Sequence, residues 1–475
     1  MLRRNNIWLN LDWITVLIYL FMVISGWINI YSAIYNEEFN SIFDISQRYG
    51  KQLMWIGFSV VLAFFILQID SKFFVTFGYL IYVFFILLLV VVLLIGKEVN
   101  GARSWFVVGS FAFQPAEFAK LGTSLAVAKL VSSHDFNIHN FRKQLSIVAL
   151  LLVPVALIIL QNDTGSALVY FVFIIPLFRE GMSGLILFFA VYFALLFIFS
   201  LILSPIVVII SLTILAYLAI LFMRRKWTEI LYALFFLIGF SLLVWIYALI
   251  FKNGEFDVYY VLLRASILSS IVLLGIAVYK KIPHLPLISG IFFISVFFTF
   301  SVDFAFNQLL EPHHRDRINN LLGIESDPLG FGYNVNQSKI AIGSGGFLGK
   351  GFLEGTQTKY DFVPEQSTDF IFCTVGEEWG FLGTSIIVLA FLFLMIRLII
   401  LSERQRSVFS RVFGYCVASI LFFHFTINIG MTIGLAPVIG IPLPFFSYGG
   451  SSLWFFTILL FVFLRLDASR LEQLH

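Results

Sequence analysis

Long apolar runs, separated by short polar segments, dominate the sequence. Most of these runs are about 20 residues long, which is the length that an α-helix needs to cross the hydrocarbon core of a bilayer. Transmembrane β-strands would instead alternate apolar and polar residues over about 10 positions. The pattern therefore predicts an all-α, polytopic membrane protein, with residues 1–475 as a single membrane domain. Fourteen spanning helices are predicted, at 13–33, 52–69, 73–95, 116–133, 145–160, 164–178, 184–203, 205–222, 229–251, 262–279, 286–303, 371–400, 409–432 and 449–466.

The composition supports this class of protein. Hydrophobic residues make up 60% of the chain and charged residues 12%, whereas soluble domains carry about 25% charged residues. Basic side chains number 30 and acidic ones 27, so the formal charge is only +3, and no long basic run is present that could bind nucleic acid. Water-soluble enzymes and nucleic-acid-binding proteins are thereby excluded. The two cysteines, Cys373 and Cys416, lie in or beside apolar stretches and cannot form a disulfide framework.

The basic residues predict how the chain is oriented. Lys and Arg concentrate in the cytoplasmic loops of membrane proteins. Placing Arg3 and Arg4 in the cytoplasm brings the other short basic clusters to the same side, so both termini are predicted to be cytoplasmic. The longest loop, 304–370, then lies outside, and its stretch KIAIGSGGFLGKGF predicts a folded extracytoplasmic cap. The clusters on the inner side contain Arg142, Lys143, Arg179, Arg224, Arg225, Lys226, Lys280, Lys281, Arg404, Arg406, Arg465 and Arg470.

Ionisable side chains near the outer ends of the predicted spans mark a candidate site. Such groups are costly inside a membrane and are functional by default. Their position on one side of the bilayer predicts a polar cavity that opens outward. These residues are Glu117, Lys120, Asp163, Asp303, Asp369, Glu377 and Glu378.

The segment QPAEFAK begins a predicted helix. Pro115 suits the first helical turn, and Glu117 interacts favourably there with the positive end of the helix dipole. Glu117 and Lys120 are three residues apart on one helix face, so they can pair. The spacing leaves two interpretations open: a local ion pair at a helix start, or a functional pair in a membrane cavity.

Two aspartates precede predicted helices. Asp163, in QNDTGSA, can cap the next helix at a tight outer turn. Asp369 lies where the long loop re-enters the membrane, immediately before the apolar run FIF. Apolar neighbours should raise the pKa of the Asp369 carboxyl group toward values that suit a general base. A helix N-cap formed by Thr368 and Asp369 is the alternative interpretation.

The segment APVIGIPLPFFSYGGSS is rich in Pro and Gly at membrane depth. Irregular backbone is tolerated there only against protein or around a cavity. Ser447, Ser451 and Ser452 could line such a cavity. By itself, the segment indicates only a broken helix.

Six motifs together resemble the SEDS family of cell-wall polymerases: NGARSW, QPAEFAK, DPLGFGYNVNQSKIAIGSGGFLGKGFLEGTQ, VPEQSTDFIF, GEEWGFLG and PLPFFSYGGSS. They occur in the family's order. The motif GKGFLEGTQ resembles the corresponding motif of members that act in cell elongation more than that of members that act in division. The resemblance implies a core of ten membrane helices, so about four of the predicted spans are additional, and we place these within 184–303. An even number of extra helices keeps both flanks on their own sides of the membrane.

The resemblance also implies an activity. The protein would be an inverting peptidoglycan glycosyltransferase that polymerises lipid II at the outer face of the bacterial cytoplasmic membrane. Asp369 matches the family's essential catalytic aspartate, and Glu117 and Lys120 match its QPxExxK motif. Arg315 and Arg317 match a pair of arginines before DPLG. The implied partners are lipid II, the polyprenyl-linked glycan and a transpeptidase, namely a class B penicillin-binding protein.

These expectations combine into a mechanism. Asp369 would remove the proton from the acceptor sugar's 4-hydroxyl, which attacks C1 of the donor while polyprenyl pyrophosphate leaves. Outer cations would stabilise the pyrophosphate, and a divalent ion, Mg²⁺ or Mn²⁺, could assist, with Glu117 positioning Lys120 or binding the metal. No other cofactor is expected. The expected substrate-binding residues are Glu117, Lys120, Arg103, Asp163, Arg315, Arg317, Lys339 and Lys350.

The sequence departs from the family's pattern at three positions. Ser367 stands where a histidine usually precedes TDFIF, Asn162 replaces a proline, and Ala112 replaces a basic residue that is often found before FQP. Two other functions stay open: a flippase for lipid-linked precursors, and a non-catalytic scaffold for a transpeptidase. Broken helices and intramembrane carboxylates also fit a transporter. Against transport, the candidate groups gather on one side of the membrane.

Overall fold

A computed structural model of the chain describes residues 7–35, 41–99, 101–109, 111–224, 227–251, 258–309, 332–360 and 362–470. It has two compact units, the first comprising residues 1–183 and 327–475, and the second comprising residues 184–326. Both units are built almost wholly from α-helices, which confirms the predicted fold class.

The N-terminal half of the first unit is a series of apolar helices with polar caps. Asp12, Asp70 and Asn140 each accept a hydrogen bond from a backbone N–H in the first turn of the following helix. These caps satisfy donors that a helix start leaves free. The helices are α1 (Ile7–Asn10), α2 (Trp13–Ile34), α3 (Arg48–Gln68), α4 (Ser71–Ile95), α5 (Pro115–Val131), α6 (Phe141–Leu160), α7 (Thr164–Leu168) and α8 (Ile174–Arg179), with a 3₁₀ turn (Val169–Phe173) between α7 and α8.

A small antiparallel sheet lies between α4 and α5. Its strands are β1 (Lys97–Val99), β2 (Ala102–Val108) and β3 (Phe111–Phe113), in the order β1-β2-β3. Phe106 pairs with Phe113, and Val108 with Phe111, so β3 returns directly along β2 and leads into α5. The pattern of apolar runs along the chain does not predict this sheet.

The described part of the second unit is a bundle of long helices. Helix α13 packs against α9, α10 and α12, and α11 packs against α12. Hydroxyl side chains meet across these contacts, with Tyr192 Oη and Ser295 Oγ 2.8 Å apart. Small and hydroxyl side chains allow close approach of membrane helices. The elements are α9 (Gly184–Ile202), α10 (Pro205–Arg224), α11 (Trp227–Phe251), α12 (Val258–Tyr279), α13 (Leu285–Phe304) and a π-helical turn (Ala305–Leu309).

The C-terminal half of the first unit begins with two helices in the region predicted as an extracytoplasmic cap. These are α14 (Tyr333–Ser344) and α15 (Thr356–Lys359). Three long helices follow: α16 (Ile371–Glu403), α17 (Val408–Thr432) and α18 (Gly450–Ala468). Helix α16 is broken at Gly380, whose φ of 62° and ψ of −157° are not helical.

The predicted spans agree with the observed helices. Within the described residues, 11 helices are long and apolar enough to cross a membrane. The other predicted spans coincide with α5, with the α7–α8 region and with α11. The protein is therefore a multi-pass membrane protein. The second unit starts at residue 184, where the sequence analysis places the start of the extra helices; which helices are additional to the ten-helix core stays a prediction.

The centre of the first unit is formed by α5, α17 and α18. Helix α5 packs against α4 and α17, and α18 packs against α3. Most residues of α5 and α18 are buried. The outer faces of α3 and α4 expose large apolar side chains such as Phe65 and Leu80, as expected of surfaces that contact lipid.

Candidate functional site

An irregular segment between α17 and α18 lies at the centre of the candidate site. We call residues 435–449 the central segment. Two helices approach its backbone closely at glycines: a Cβ on Gly26 would lie 2.6 Å from Phe446 O, and one on Gly165 would lie 2.5 Å from Ile439 O. Irregular backbone is thus packed against protein here, as membrane depth requires.

The central segment holds the backbone around Asp369. Ser447 Oγ donates a hydrogen bond to Thr368 O at 2.6 Å. From α17, Asn428 Nδ2 donates to Asp369 O at 2.9 Å and to Ile441 O at 2.8 Å. Hydrogen bonds to the carbonyls of Thr368 and Asp369 therefore hold the backbone here, and they do not involve the Asp369 carboxylate.

The Asp369 side chain does not cap a helix. The N-cap position of α16 is Phe370, and no side chain caps that helix, so the N-cap interpretation of Asp369 is not realised. Among the described residues, no donor makes a hydrogen bond to the carboxylate. A Cβ on Gly440 would lie 3.5 Å from Asp369 Oδ2, so the central segment passes directly beside this oxygen.

The surroundings of Asp369 favour its protonated form. The residue keeps some surface exposed, but protein atoms enclose the carboxylate on most sides. Burial, with a further contribution from the Glu365 carboxylate, raises the pKa of Asp369 to about 7. A carboxyl group with this pKa can exchange a proton near neutral pH, as the sequence predicts for a general base.

A cation lies beside the motif that carries Asp369. Arg48 Nη1 donates a hydrogen bond to Ser367 Oγ at 2.8 Å and is 3.9 Å from Glu365 Oε2. The Arg48 guanidinium also lies over the Tyr448 ring, 5.8 Å from its centroid. About half of the Arg48 side chain is exposed. The serine at 367 thus binds an arginine that the sequence analysis did not select.

Glu117 and Lys120 form the predicted pair, and a third residue joins them. Lys120 Nζ is 2.8 Å from Glu117 Oε1 and 3.0 Å from His424 Nε2. Lys120 is fully buried. Its ammonium also lies 4.9 Å from the centroid of the Phe455 ring. The second oxygen, Glu117 Oε2, is buried and has no hydrogen-bond partner among the described residues.

Asp163 caps α7 and joins it to the start of α5. It accepts hydrogen bonds from Ser166 N at 3.1 Å and from Ser166 Oγ at 2.9 Å. Gln114 Nε2 donates to Asp163 Oδ2 at 2.7 Å, and Gln114 N donates to Ser451 Oγ at 3.2 Å. The capping interpretation of Asp163 is therefore observed. Arg103 lies on β2, and its side chain is exposed.

Lys350 is engaged by Glu377. Lys350 Nζ lies 2.6 Å from Glu377 Oε1, and the same carboxylate accepts hydrogen bonds from the backbone N–H groups of 356, 357 and 358. Glu377 thus holds the start of α15 against α16. The exposed Lys339 lies beside Gly434, since a Cβ on Gly434 would be 2.6 Å from Lys339 Nζ.

Two of the predicted site residues, Arg315 and Arg317, lie outside the described residues. Glu117, whose possible metal role stays a prediction, has one oxygen held by the Lys120 ammonium. In the described part of the chain, no group of three or more His, Cys, Asp or Glu side chains is arranged to hold a metal ion. We therefore derive no step through a protein-bound metal.

Three residues of the site were missed by the sequence analysis: Arg48, His424 and Asn428. His424 is ionisable and lies within a predicted span, so the rule that selected Glu117 could also have selected it. Asn428 has no charge, and Arg48 lies at the start of α3, where a basic residue carries no specific signal. Their roles follow only from the contacts they make.

The fold and the site define the class of protein: a polytopic helical membrane protein with a buried ion pair and with a partly enclosed carboxylate beside an irregular segment. Sequence comparison then gives the family. The family described as a cell cycle protein, FtsW/RodA/SpoVE, matches residues 12–223 and 209–472. The chain belongs to this family.

Individual relatives match over nearly their whole length. The chain is 33% identical over 445 residues to the peptidoglycan glycosyltransferase RodA of Treponema pallidum, covering 93% of this chain and 94% of the relative. It is 29% identical over 426 residues to the peptidoglycan glycosyltransferase MrdB of Escherichia coli K12, covering 89% and 86%. A chain of a solved peptidoglycan synthase complex has a TM-score of 0.61 at 23% identity, covering 98% of this chain and 99% of that one. The crystal structure of the Thermus thermophilus rod shape determining protein RodA has a TM-score of 0.56 at 22% identity, with the same coverage. The structural likeness establishes the fold.

Proposed function

We propose that the protein is a peptidoglycan glycosyltransferase that polymerises lipid II during cell elongation, with Asp369 as its general base. The class of enzyme follows from relatives that carry this name and match the chain almost end to end. The observation that carries the catalytic assignment is the Asp369 carboxylate. It is held by its backbone, has no hydrogen-bond donor among the described residues, and has a pKa raised to about 7.

The reaction is a displacement at a sugar carbon. Asp369 accepts the proton of the acceptor's 4-hydroxyl as that oxygen attacks C1 of the donor. The new C1–O bond forms while the bond from C1 to the pyrophosphate oxygen breaks, so polyprenyl pyrophosphate leaves from the opposite face and the configuration inverts. The energy comes from the donor's own pyrophosphate linkage.

Cations stabilise the charge that develops on the leaving pyrophosphate. Arg48 is half-exposed and bonded to Ser367, two residues before Asp369. Arg103 and Lys339 are exposed and free to contribute. Lys120 is enclosed and acts as a buried charge, whereas Lys350 stabilises Glu377. The contributions of Arg315 and Arg317 stay predictions from the resemblance.

In this proposal, Mg²⁺ or Mn²⁺ assists the reaction as an ion that is bound to the substrate's pyrophosphate. Glu117 is not its ligand in this proposal, because Lys120 already neutralises that carboxylate. Chelation of divalent cations should then lower the polymerisation rate by the same factor in the wild type and in Glu117→Gln. A chelator effect confined to the wild type would instead make Glu117 a ligand.

The orientation of the enzyme in the membrane, its two substrates and its partner follow from the same proposal. The site faces the outer leaflet, with both termini in the cytoplasm, because the basic residues gather at the opposite ends of the helices. The growing polyprenyl-linked glycan is the donor and lipid II the acceptor. A class B penicillin-binding protein is the partner that crosslinks the product. One structural neighbour comes from a peptidoglycan synthase complex, which supports such a pairing.

The test is polymerisation of lipid II by the purified protein with its transpeptidase partner. Replacing Asp369 by Asn or Ala should lower the rate at least about 100-fold, the lower end of what a general base contributes. Asp135→Asn is the matched control, since the Asp135 side chain is 95% exposed and should be dispensable. Glycan synthesis at the control rate by both Asp369 variants would remove Asp369 from the mechanism.

The same protein in lipid vesicles separates the alternative functions. A flippase would move labelled lipid II across the vesicle membrane, and a scaffold would neither move it nor lengthen glycan. We expect glycan synthesis that depends on Asp369 and no translocation.

A further inference from the structure

Protein groups surround the Lys120 side chain, although this residue is expected to lie near a substrate. The side chain is fully buried. Two acceptors lie within 3.0 Å of its ammonium, and the Phe455 ring lies 4.9 Å away. Since a lysine has three donors and no acceptor, Glu117 and His424 together take two of them. Lys120 is therefore held at one point by groups from two helices, α5 and α17.

The contacts of His424 define its tautomer. Lys120 Nζ can only donate, so His424 Nε2 must accept and carries no proton. The other ring nitrogen, His424 Nδ1, faces Pro442 O at 3.3 Å, and a carbonyl can only accept. The imidazole is thus neutral, with its proton on Nδ1 directed at the central segment.

The face of α17 that carries His424 also carries Asn428, because residues four apart lie on one side of a helix. These two side chains contact consecutive carbonyls of the central segment, Pro442 O and Ile441 O. Asn428 also holds Asp369 O. One helix face therefore touches the buried lysine, the central segment and the backbone of the proposed base.

We propose that His424 is a positioning residue that couples Lys120 to the central segment. Its ring bridges the Lys120 ammonium and Pro442 O, so a shift of the segment that passes beside Asp369 is transmitted to the buried charge. Packing alone explains the ring, which makes an edge contact with Phe456 at 4.9 Å, but does not explain a polar partner at each nitrogen. The catalytic consequence rests on the function proposed above; the coupling itself does not.

Two substitutions at His424 distinguish the contribution of its hydrogen bonds from that of its ring packing. His424→Phe keeps a ring of similar size and loses both polar contacts, whereas His424→Gln keeps one acceptor and one donor. We expect kcat for glycan synthesis to fall at least 10-fold in His424→Phe with KM changed less than 3-fold. His424→Gln should stay within 3-fold of the wild type for both constants. The matched control is Phe413→Leu, which disturbs a buried aromatic residue earlier on the same helix and should lower Tm without changing kcat.

A second test measures stability and does not require enzyme activity. A double-mutant cycle can be built from melting temperatures, using the wild type, His424→Phe, Lys120→Gln and the double variant. The Tm loss of the double variant should be clearly smaller than the sum of the two single losses. Hydrogen–deuterium exchange of residues 439–447 should increase in His424→Phe and stay at the wild-type level in Phe413→Leu.

The outcomes are distinguishable from those that test Asp369. Additive Tm losses, unchanged exchange in residues 439–447, or a His424→Gln variant as slow as His424→Phe would each overturn the coupling. An active Asp369→Asn enzyme would remove the proposed base but would leave the unfolding cycle and the exchange measurement as a valid test of His424.

Discussion

At the scale of single residues, the site contrasts two carboxylates with different surroundings. Glu117 is neutralised by Lys120 at 2.8 Å. Asp369 has no cation bonded to it within the described chain, and burial raises its pKa to about 7. A base needs a carboxylate that gains from taking a proton. Asp369 meets this requirement, whereas one oxygen of Glu117 is held by Lys120, so we expect different roles for two residues that were selected by the same rule.

The raised pKa of Asp369 predicts the pH dependence of activity. The base works as the carboxylate, and the fraction in this form rises with pH through a midpoint near pH 7. The rate of glycan synthesis should therefore fall about tenfold per pH unit on the acid side of this midpoint and level off above it. Initial rates measured from pH 5 to 9 check this. A profile that is flat between pH 5 and 8 would contradict the assignment.

At the scale of elements, backbone geometry at glycines shapes the site. Helix α16 carries Glu377 and Glu378 and breaks at Gly380, where φ is 62° and ψ is −157°. A Cβ at Gly380 would lie 2.3 Å from Gly349 N in the cap. Two neighbouring cap N–H groups, those of Lys350 and Gly351, bond to Glu377 O and Glu378 O. The break in the helix and the docking of the cap therefore depend on each other.

Gly380→Ala should lower the free energy of unfolding by about 2 kcal/mol or more, because the substitution adds backbone strain of about 1–3 kcal/mol to a steric clash. Gly57→Ala is the matched control, since Gly57 lies inside α3 with no atom within 4 Å of the added carbon. The control should be neutral or stabilising by up to about 1 kcal/mol. Thermal unfolding in detergent measures both. Equal Tm values for the two variants would show that the break at Gly380 is not required.

At the scale of the whole molecule, ion pairs tie helix ends together at the side opposite the site. Arg397 binds Asp12 through two nitrogens, at 2.5 and 3.2 Å. Arg404 likewise binds Asp467, which is fully buried and also accepts from Gln405 Nε2 at 2.6 Å. These pairs join the N-terminal end of α2 to the C-terminal ends of α16 and α18.

Asp467→Ala should strongly destabilise the protein. The substitution removes the buried carboxylate that accepts hydrogen bonds from Arg404 and Gln405, and hydrogen bonds to charged groups contribute about 1.5–3 kcal/mol each. The exposed Asp135 provides the control, because its replacement by Ala disrupts no buried pair. Unfolding of the two variants in detergent measures the difference. A Tm for Asp467→Ala within 1 °C of the control would show that the pair adds no stability.

The orientation in the membrane has its own test. Tyr360, in the cap, is 68% exposed, and the Asp135 side chain lies on the predicted inner side with 95% exposed. Both native cysteines are buried and should not interfere. An impermeant thiol reagent should label Tyr360→Cys in intact cells whose outer layers are opened, and Asp135→Cys only after the cytoplasmic membrane is permeabilised. The opposite labelling pattern would place Asp369 inside and exclude the proposed reaction.

The sequence by itself determined the helices, because apolar runs of bilayer length have one stable solution in lipid, where backbone hydrogen bonds must close within the segment. It also determined the Glu117–Lys120 contact, since a spacing of three residues brings the side chains together on any helix. Tertiary structure decided whether Asp163 or Asp369 caps a helix, and it engaged Lys350 with Glu377. It also brought Arg48 to Ser367 and His424 to Lys120, pairs separated by about 300 positions. Such contacts depend on how helices pack, and no periodicity along the chain encodes which distant polar groups will meet.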